Sequence, residues 1–418
     1  MQSISKNSPN AAATQSLSMK IGDGLGWTWV VVCAFAAMIV AGCSDSASND
    51  IANGTGSNAG ETELAAIAFT KADGAPLARA IARTWRMTEK SMDLVSVDTL
   101  DENGKTELGT NLSGLHLVEA RSGDSLSAMN WINFGDSTSQ TTLVASASTS
   151  LKGTITQNGN FVKGSTVKIL DKTSITDNNG NFEISGIPEG QHFAFVEDDH
   201  ETRVFQVQAM ADSTVEATNA IDLDAAPFIL VDNFEQWETH RSLLGRTFGE
   251  GWWFVLTDST LGGGSKLLNE PGLENLFEKD PDKGYVMHLL YDLDEETDGR
   301  FGVAGFALGD DYENHKNFAF FDLSEATSIS FDAKGNGELF LQLTLRDSTG
   351  EKVFAMSAPI ELDSEWKRYT ITTEELETDL TAVNSINFVV ENDAEFYLDD
   401  IKIEGISPGM WPELGKNF

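Results

Sequence analysis

The sequence predicts an all-β protein built from three successive β-rich segments. Short stretches of alternating apolar and polar residues recur along most of the chain, and no stretch sustains a helical period. Glycine is frequent, with 37 residues, whereas proline is scarce, with 9, which is typical of strands joined by tight turns. At 418 residues, the chain is long enough for two or three domains with buried cores.

The charge balance narrows the classes of partner. The chain has 65 acidic and 28 basic residues, which gives a formal net charge of -37 at pH 7. Such a chain repels phosphate backbones, so the sequence argues against a nucleic-acid partner. Solubility and the binding of divalent cations are both compatible with this excess of carboxylates.

The N-terminal region contains the one long uncharged apolar run, at residues 25–42. It is long enough to span a bilayer, so a plain anchor helix or a secretory signal is one interpretation. However, the run ends in Val40-Ala41-Gly42-Cys43, which resembles the lipobox of bacterial lipoproteins. That resemblance implies a signal peptide over residues 1–43 with a lipidated Cys43, a polar tether over 44–60, and sorting to the outer membrane. The other cysteine, Cys33, lies in the same run, so no disulfide is expected in the body of the chain.

The middle segment, residues 148–226, has the clearest strand pattern. Alternating stretches at 151–156, 165–170 and 192–197 surround an Asn179-Gly180 turn and the motif Ile187-Pro188-Glu189-Gly190. This order resembles a carboxypeptidase regulatory-like domain, a small transthyretin-like β-sandwich. Asp177, Asn179 and Asn181 also have the spacing of a calcium loop. A hairpin turn is the favoured interpretation, because no Glu occupies position 12 of such a loop.

Residues 61–147 resemble a divergent copy of the same sandwich. The stretch Asp101-Glu102-Asn103-Gly104 repeats the turn of the middle segment, but the Gly-Ile-Pro-x-Gly motif has no clear counterpart. In this family such domains are usually spacers. Two tandem sandwiches without clustered catalytic groups lead to the same expectation.

The C-terminal segment, residues 228–406, has the highest aromatic content and is followed by a tail at 407–418. Its ordered motifs begin with the opening strand at 228–235 and Gly251-Trp252-Trp253. The strands at 327–335 and 385–390 and the closing strand at 396–405 come next. Together they resemble a galactose-binding-like jelly roll, closest to family-eleven carbohydrate-binding modules and the complex I intermediate-associated proteins.

The resemblance implies a glycan cleft and supplies its candidate residues. Asp298 and Phe301 match a family strand that lines the cleft, and Trp252 or Trp253 could add a second aromatic platform against the sugar C–H groups. Asn387 stands where the family has a cleft histidine. The alternative is that the aromatic residues belong to the core. The expected ligand is a β-glucan-like or other plant polysaccharide.

A calcium site is the second implication. If the first and last strands pair, the carboxylates of Asp232, Glu235 and Asp399 come close together, and like charges then need a cation or protons. Carboxylate oxygens suit Ca²⁺, and members of the family often hold a structural calcium there. A solvated acidic edge is the alternative.

Sequence signatures of catalysis are absent. The chain has no His-Glu-x-x-His, no Gly-x-Ser-x-Gly and no phosphate-binding Gly-x4-Gly-Lys motif, and its six histidines are scattered. We therefore expect no enzyme. The leading prediction is a glycan-binding envelope lipoprotein whose two sandwiches are spacers. The alternative is a structural or assembly lipoprotein whose jelly roll binds a protein partner.

Overall fold

The computed structural model describes most of the chain downstream of residue 65. Within the described residues the chain forms β-strands joined by turns and a few short helical turns, so the prediction of an all-β protein is confirmed. No helix in that part of the chain combines the length and apolarity that a membrane crossing requires. Cys43 and the tether lie outside it. The described residues are 66–107, 112, 114–134, 141–197, 201–209, 218–235, 244, 251–269, 273–308 and 320–416.

The first sandwich packs a four-stranded layer against a three-stranded one. The layers are β3-β2-β5-β6 and β7-β1-β4, and β6 and β7 join them at their ends. In the second layer β1 is antiparallel to β4 and parallel to β7. Phe69, Val118 and Phe134 fill the space between the layers. The strands are β1 (Ala66–Lys71), β2 (Ile81–Met87), β3 (Met92–Thr99), β4 (Lys105–Glu107), β5 (Gly114–Ser122), β6 (Leu126–Phe134) and β7 (Thr141–Ala147).

The second sandwich repeats this strand order. Its layers are β11-β10-β13-β14 and β12-β8-β15, and its first strand, β8, is again antiparallel to one neighbour and parallel to the last strand. A short strand, β9, folds back on β8. The strands are β8 (Thr149–Gln157), β9 (Asn160–Phe161), β10 (Thr166–Ile169), β11 (Lys172–Ile175), β12 (Asn181–Ile187), β13 (Gly190–Glu197), β14 (Thr202–Ala209) and β15 (Thr218–Asp222).

The Asp-x-Asn-Gly turn occupies the same place in both sandwiches. In the second, Asp177 Oδ1 accepts the backbone N–H groups of Asn179 at 2.8 Å and Asn181 at 2.9 Å, and these bonds hold the pKa of Asp177 below its usual range. Gly180 has a φ of 72°, and its carbonyl accepts the N–H of Ile155. The turn joins strands of two different layers, so the predicted hairpin ladder is wrong although the turn itself is present.

The first sandwich builds that turn with equivalent bonds. Asp101 Oδ1 accepts the N–H groups of Asn103 and Lys105, both at 2.8 Å. The Gly104 carbonyl accepts the N–H of Phe69, and a Cβ at Gly104 would collide with the Phe69 carbonyl. A glycine is therefore required at this close approach.

The C-terminal unit is a jelly-roll sandwich of two large sheets. The first sheet runs β18-β20-β29-β23-β27, with β16 paired to β29 and β19 to β20. The second runs β17-β21-β28-β24-β25, with β26 paired to β24, β22 to β28 and β30 to β22. The strands are β16 (Phe228–Asp232), β17 (Trp252–Thr257), β18 (Lys266–Leu267), β19 (Phe277–Asp280), β20 (Gly284–Asp292), β21 (Gly302–Ala307), β22 (Phe320–Phe321), β23 (Ser328–Asn336), β24 (Glu338–Arg346), β25 (Lys352–Met356), β26 (Ile360–Glu361), β27 (Lys367–Thr372), β28 (Val383–Val390), β29 (Ala394–Glu404) and β30 (Gly415–Lys416).

The C-terminal tail is part of the jelly roll. Trp411, at the start of the short helix α1 (Trp411–Leu414), is 2% exposed and stacks on Phe321 with ring centroids 4.5 Å apart. The strand β30 that follows pairs with β22. The sequence left open whether this tail packs on the jelly roll or protrudes. Its described residues extend the second sheet, because Trp411 supplies apolar area that the core buries.

The three units also pack against one another. Between the sandwiches, Trp131 meets Phe193 edge-to-face at 6.0 Å, and Arg121 Nη1 donates to Asp171 Oδ1 at 2.6 Å. Between the tail and the first sandwich, a Cβ at Gly409 would lie only 2.8 Å from the Glu89 carbonyl oxygen. Aromatic, ionic and backbone contacts thus bind the described parts of the three units together.

Candidate ligand-binding face

The second sheet of the jelly roll has two faces of different chemistry. In β21 and β28, Phe306 and Phe388 point inward and pack on Trp253 in the core. Because side chains alternate along a strand, Asn387 lies on the outside of β28, opposite Gly305 of β21. We call the outer surface of β17, β21, β28, β24 and β25 the outer face of the second sheet.

A polar row crosses the middle of this outer face. Asn387 pairs in register with Gln342 of β24, and Ser385 pairs with Thr344 of the same strand. All four side chains are buried, with at most 5% exposed. Their amide and hydroxyl groups can both donate and accept hydrogen bonds and carry no net charge.

Asn387 is the member of this row that has an unused hydrogen-bonding atom. Its Nδ2 donates to Thr344 Oγ1 at 3.0 Å and to Gln342 Oε1 at 3.3 Å. Its Oδ1 is buried and has no hydrogen-bond partner among the described residues. A buried unpaired acceptor costs about 1–3 kcal/mol, so a donor supplied by a ligand would relieve that cost.

A glycine makes room for this carboxamide. A Cβ at Gly305 would lie 2.6 Å from Asn387 Oδ1 and would collide with the ring of Phe254, a half-buried residue of β17. The absence of a side chain at Gly305 lets the amide oxygen and the aromatic ring lie side by side. A polar acceptor and an apolar ring therefore occupy adjacent positions of the outer face.

An apolar cluster borders the polar row. Phe301, Val303 and Val389 are each at most 2% exposed, and half-buried Phe254 and Phe340 pack against them. The cluster is separate from the main core between the two sheets. The outer face thus combines apolar surface with hydrogen-bonding groups, as carbohydrate recognition requires.

Two of the predicted aromatic platforms lie elsewhere than expected. Trp253 faces the core, where it is 6% exposed and its Nε1 donates to Asp232 Oδ2 at 2.9 Å, so its prediction as a sugar platform is wrong. Phe301 is a buried member of the apolar cluster, 2% exposed, and supports the outer face without presenting its ring to solvent. In both cases strand alternation and packing, which the residue type does not reveal, decided the orientation.

Other predicted residues do reach this side of the sheet. Trp252 precedes Trp253, so it points the opposite way; it lies half-buried on the outer face beside Ala307 of β21. Asn387 is at the centre of the polar row. Asp298 is exposed in the turn before β21, at the same end of that strand as Phe301.

The candidate calcium ligands are engaged in other contacts. The predicted pairing of the first and last strands is present, and it places Asp232 beside Ile401. Asp232 Oδ1 accepts the N–H of Phe234 at 3.0 Å, while its Oδ2 takes the indole N–H. Glu235 Oε1 accepts the N–H of Tyr285 at 3.0 Å, and burial raises the pKa of Glu235.

The third candidate ligand, Asp399, faces a cation. Lys283 Nζ lies 3.8 Å from Asp399 Oδ2, and burial together with the charge of Asp400 raises the pKa of Asp399 to about 7. In the described part of the chain, no three Asp, Glu, His or Cys side chains are grouped as a metal ion would need. The donor set does not fit a calcium site. Both Asp232 oxygens and Glu235 Oε1 accept N–H groups, and Asp399 Oδ2 lies beside an ammonium group. Asp399 Oδ1 is buried without a hydrogen-bond partner among the described residues, but one such oxygen does not make a calcium site.

The outer surface of the first sheet, which we call the charged face, is built differently. Lys334 Nζ lies 4.9 Å above the Trp366 ring and 4.7 Å above the Tyr397 ring, and it pairs with Asp280 Oδ2 at 2.6 Å. His288 stacks on the Tyr397 ring at 4.2 Å. The aromatic rings of this face are therefore in contact with cationic or imidazole groups of the chain itself.

Ion pairs continue this network across the charged face. Arg368 Nε lies 2.7 Å from Asp332 Oδ1, and Arg368 Nη2 lies 2.7 Å from Asp400 Oδ2. Lys283 pairs with the other Asp332 oxygen. Such mutual pairing leaves this face with fewer groups for a ligand than the outer face of the second sheet.

Sequence reasoning missed Gln342 and Thr344. The pattern that could have found them is the alternation along β24, where four leucines, Leu339 to Leu345 at every second position, face the core. The intervening residues must face outward, and Gln342 and Thr344 come into register with β28 there. The pattern reveals the facing of β24 but not which strand lies beside it.

Comparisons with known proteins give similarity to solved structures alone. The chain matches no protein-family model and no curated protein. It is similar to the family 11 carbohydrate-binding module of the cellulosomal cellulase Lic26A-Cel5E of Clostridium thermocellum. The match has 20% identity and a TM-score of 0.29, and it covers 44% of this chain and 97% of that chain. A family 11 module of the same organism, in complex with a beta-1,3-1,4-mixed-linked tetrasaccharide, matches at 20% identity, 44% and 98% coverage and a TM-score of 0.31. A family 29 module complexed with cellulohexaose matches at 15% identity, 44% and 94% coverage and a TM-score of 0.24.

Proposed function

We propose that the chain is a non-catalytic lipoprotein of the bacterial envelope whose jelly roll binds a neutral polysaccharide on the outer face of the second sheet. The observation that carries this proposal is the buried Asn387 Oδ1, which has no hydrogen-bond partner among the described residues. A sugar hydroxyl donates the hydrogen bond that this oxygen lacks. The apolar cluster beside it suits the C–H surface of a pyranose ring.

The chemistry of the outer face favours an uncharged ligand. Its polar row consists of amides and hydroxyls, whereas the ion pairs lie on the charged face of the other sheet. A β-glucan-like or other plant polysaccharide offers hydroxyl donors and acceptors without charge, so it matches such a row. Trp252 and Phe254 lie beside the row on β17, and their half-buried rings are the candidates for stacking on a sugar.

A single substitution tests the proposed site. The test uses the lipid-free Cys43→Ser chain, whose migration is followed in gels that contain mixed-linkage β-glucan or another polysaccharide that retards it. Asn387→Leu removes the buried amide from this chain. We expect the retardation to be abolished. The melting temperature should fall only modestly, because removal of the unpaired acceptor offsets part of the loss of the two bonds to Thr344 and Gln342. Asn336→Ala is the matched control, since it removes an amide from the first sheet that accepts the N–H of Glu395, and binding should persist.

The same gel assay with a panel of polysaccharides also separates a glycan-binding protein from a scaffold that binds a protein partner. If a panel of neutral and acidic polysaccharides fails to retard the wild-type chain, glycan binding is wrong. A scaffold that binds a protein partner is then the remaining function. If a polysaccharide retards both wild type and Asn387→Leu equally, glycan binding stands and the site is elsewhere.

We propose membrane attachment through a lipidated Cys43, on the outer membrane, with residues 44–60 as the tether. The supporting observation is the Val-Ala-Gly-Cys motif at the end of the apolar run. Growth with a fatty-acid probe should label the wild type and Cys33→Ser but not Cys43→Ser. Equal labelling of the two cysteine variants, or none in the wild type, would contradict the lipobox assignment.

We propose that both small sandwiches are regulatory-like domains that act as spacers between the membrane and the jelly roll. Their shared strand order and their equivalent Asp-x-Asn-Gly turns support a common origin. Their contacts with each other, and the close approach of Gly409 to Glu89, favour a stiff spacer. A stiff spacer would hold the outer face at a fixed height and orientation.

A further inference from the structure

A cavity lies where the C-terminal tail meets the first sandwich. Its volume is about 380 Å³, which is within the usual range for small-molecule sites. Strands β2, β3 and β5 supply one wall, and Pro412 and Glu413 of α1 supply the other. Two segments that are some 300 residues apart in sequence therefore form one site, and cavities between domains are frequent ligand sites.

The cationic group of this cavity is Arg86, near the end of β2. Its side chain is exposed, and it has no ion pair or hydrogen bond with any residue that the structure describes. Carboxylates outnumber cations by 65 to 28 in the chain, so an unpaired guanidinium is informative. A guanidinium presents a planar set of donors that binds a carboxylate through two parallel hydrogen bonds.

A neutral imidazole lies next to Arg86. His116 Nδ1 is 3.1 Å from the Gly114 carbonyl oxygen, which can only accept, so Nδ1 carries the proton and Nε2 is left as an acceptor. Burial and the charge of Arg86 lower the pKa of His116. At neutral pH this site therefore offers an acceptor for an N–H group beside a donor for a carboxylate.

The remaining lining residues supply apolar surface and one negative charge. Met87, Val95 and Leu115 line the cavity, and Val95 is 44% exposed although it is apolar. Across from them, Glu413 projects an exposed carboxylate from α1. A ligand with one negative end, one positive end and an apolar body would satisfy every kind of group present.

We propose that this cavity binds a short apolar peptide in its zwitterionic form. The ligand carboxylate pairs with Arg86, its ammonium group pairs with Glu413, and its side chains contact Met87, Val95 and Leu115. The peptide N–H donates to His116 Nε2. This site is independent of the glycan site, because it lies on the first sandwich and the tail.

The experiment titrates the lipid-free Cys43→Ser chain with leucylalanine, N-acetyl-leucylalanine and leucylalanine amide by calorimetry. We expect leucylalanine to bind and each blocked form to bind at least tenfold more weakly. Arg86→Met should weaken the binding of leucylalanine at least tenfold, and this variant should bind leucylalanine and leucylalanine amide with equal affinity. Glu413→Gln should bind leucylalanine and N-acetyl-leucylalanine with equal affinity.

Lys71→Met, an exposed cation on β1 of the same sandwich, is the matched control and should bind leucylalanine as the wild type does. The proposal is overturned if leucylalanine shows no saturable binding to the wild type. It is also overturned if Arg86→Met and Glu413→Gln weaken all three compounds equally, because the charged ends are then not recognised.

Discussion

The two outer surfaces of the jelly roll differ in whether their polar groups pair with one another. On the charged face, Lys334 lies over the Trp366 and Tyr397 rings and pairs with Asp280. In the polar row of the outer face of the second sheet, the side chains are uncharged, and the amide oxygen of Asn387 lacks a partner among the described residues. The charged face also has one buried oxygen without a partner in the described part of the chain, Asp399 Oδ1, but that carboxyl can hold a proton because its pKa is raised to about 7. The amide oxygen of Asn387 can only accept a hydrogen bond, so only a donor from outside satisfies it.

Aromatic residues near the surface are therefore a poor guide to the proposed binding face. Trp366 and Tyr397 are half-buried on the surface, yet their rings are covered by Lys334 and His288. By contrast, Asn387 is 4% exposed and would not be selected by exposure. An unpaired amide oxygen, which unlike a carboxylate cannot take up a proton, distinguishes the outer face better than accessibility does.

The largest expected effect concerns the apolar cluster beneath the outer face. Phe301→Ala should lower the free energy of unfolding of the jelly roll by about 3–5 kcal/mol, because the 2% exposed ring leaves a cavity. Chemical denaturation followed by tryptophan fluorescence measures it. Phe161→Ala, at a ring that is 61% exposed, is the control and should change little. An unchanged stability with lost glycan binding would instead make Phe301 a sugar platform.

The next effect is a pH dependence centred on the charged face. The pKa of Asp399 is about 7 in the folded chain against 3.8 in the reference state. Between those values the native state holds a proton that the unfolded state releases, so stability falls as pH rises through this window. The cost is on the order of a few kcal/mol, at about 1.4 kcal/mol per unit of pKa difference.

Asp399→Asn tests this dependence, because it keeps the shape of the protonated side chain. The variant should lose that contribution to the pH dependence of jelly-roll stability between about pH 4 and 7, and above pH 7 it should be more stable than the wild type. Asp298→Asn, at an exposed turn, should keep the wild-type slope. If the stability of wild type and of Asp399→Asn depends on pH with the same slope, Asp399 is not the source of the pH dependence.

A smaller effect is expected at the stacked cation of the charged face. Lys334→Met should cost about 1–2 kcal/mol of stability, since it removes two cation–π contacts and an ion pair to Asp280, which is 5% exposed. Glycan binding should be unaffected. Lys367→Met breaks an exposed pair and should leave the stability nearly unchanged. A loss of glycan binding in Lys334→Met would place the ligand on the charged face.

The smallest expected effect is that of calcium removal. The Asp232 oxygens accept N–H groups, so a chelator should leave the melting temperature of the jelly roll unchanged. Calcium bound only by the native state would raise that temperature. A drop on chelation that Glu235→Ala abolishes would restore the calcium site predicted from the sequence.

How far the site could be predicted depends on the residue. Asn387 was predicted from the family resemblance, because it stands where the family has a cleft histidine. The large apolar side chains on both sides of it agree with an outward position. The pair Trp252-Trp253 could be recognised as one inward and one outward ring, but the sequence does not say which is which. Strand register, which depends on contacts between distant segments, resolved that choice.

Local alternation and turn chemistry were enough to predict the all-β class, the repeated Asp-x-Asn-Gly turn and the opening and closing strands of the jelly roll. Three features could not be predicted from them: Trp253 is buried, Gln342 and Thr344 join Asn387, and the tail closes the cavity beside Arg86. Those outcomes depend on strand pairing across 40 to more than 300 residues of chain. Local pattern fixes which way a side chain can point, whereas long-range packing fixes what it meets there.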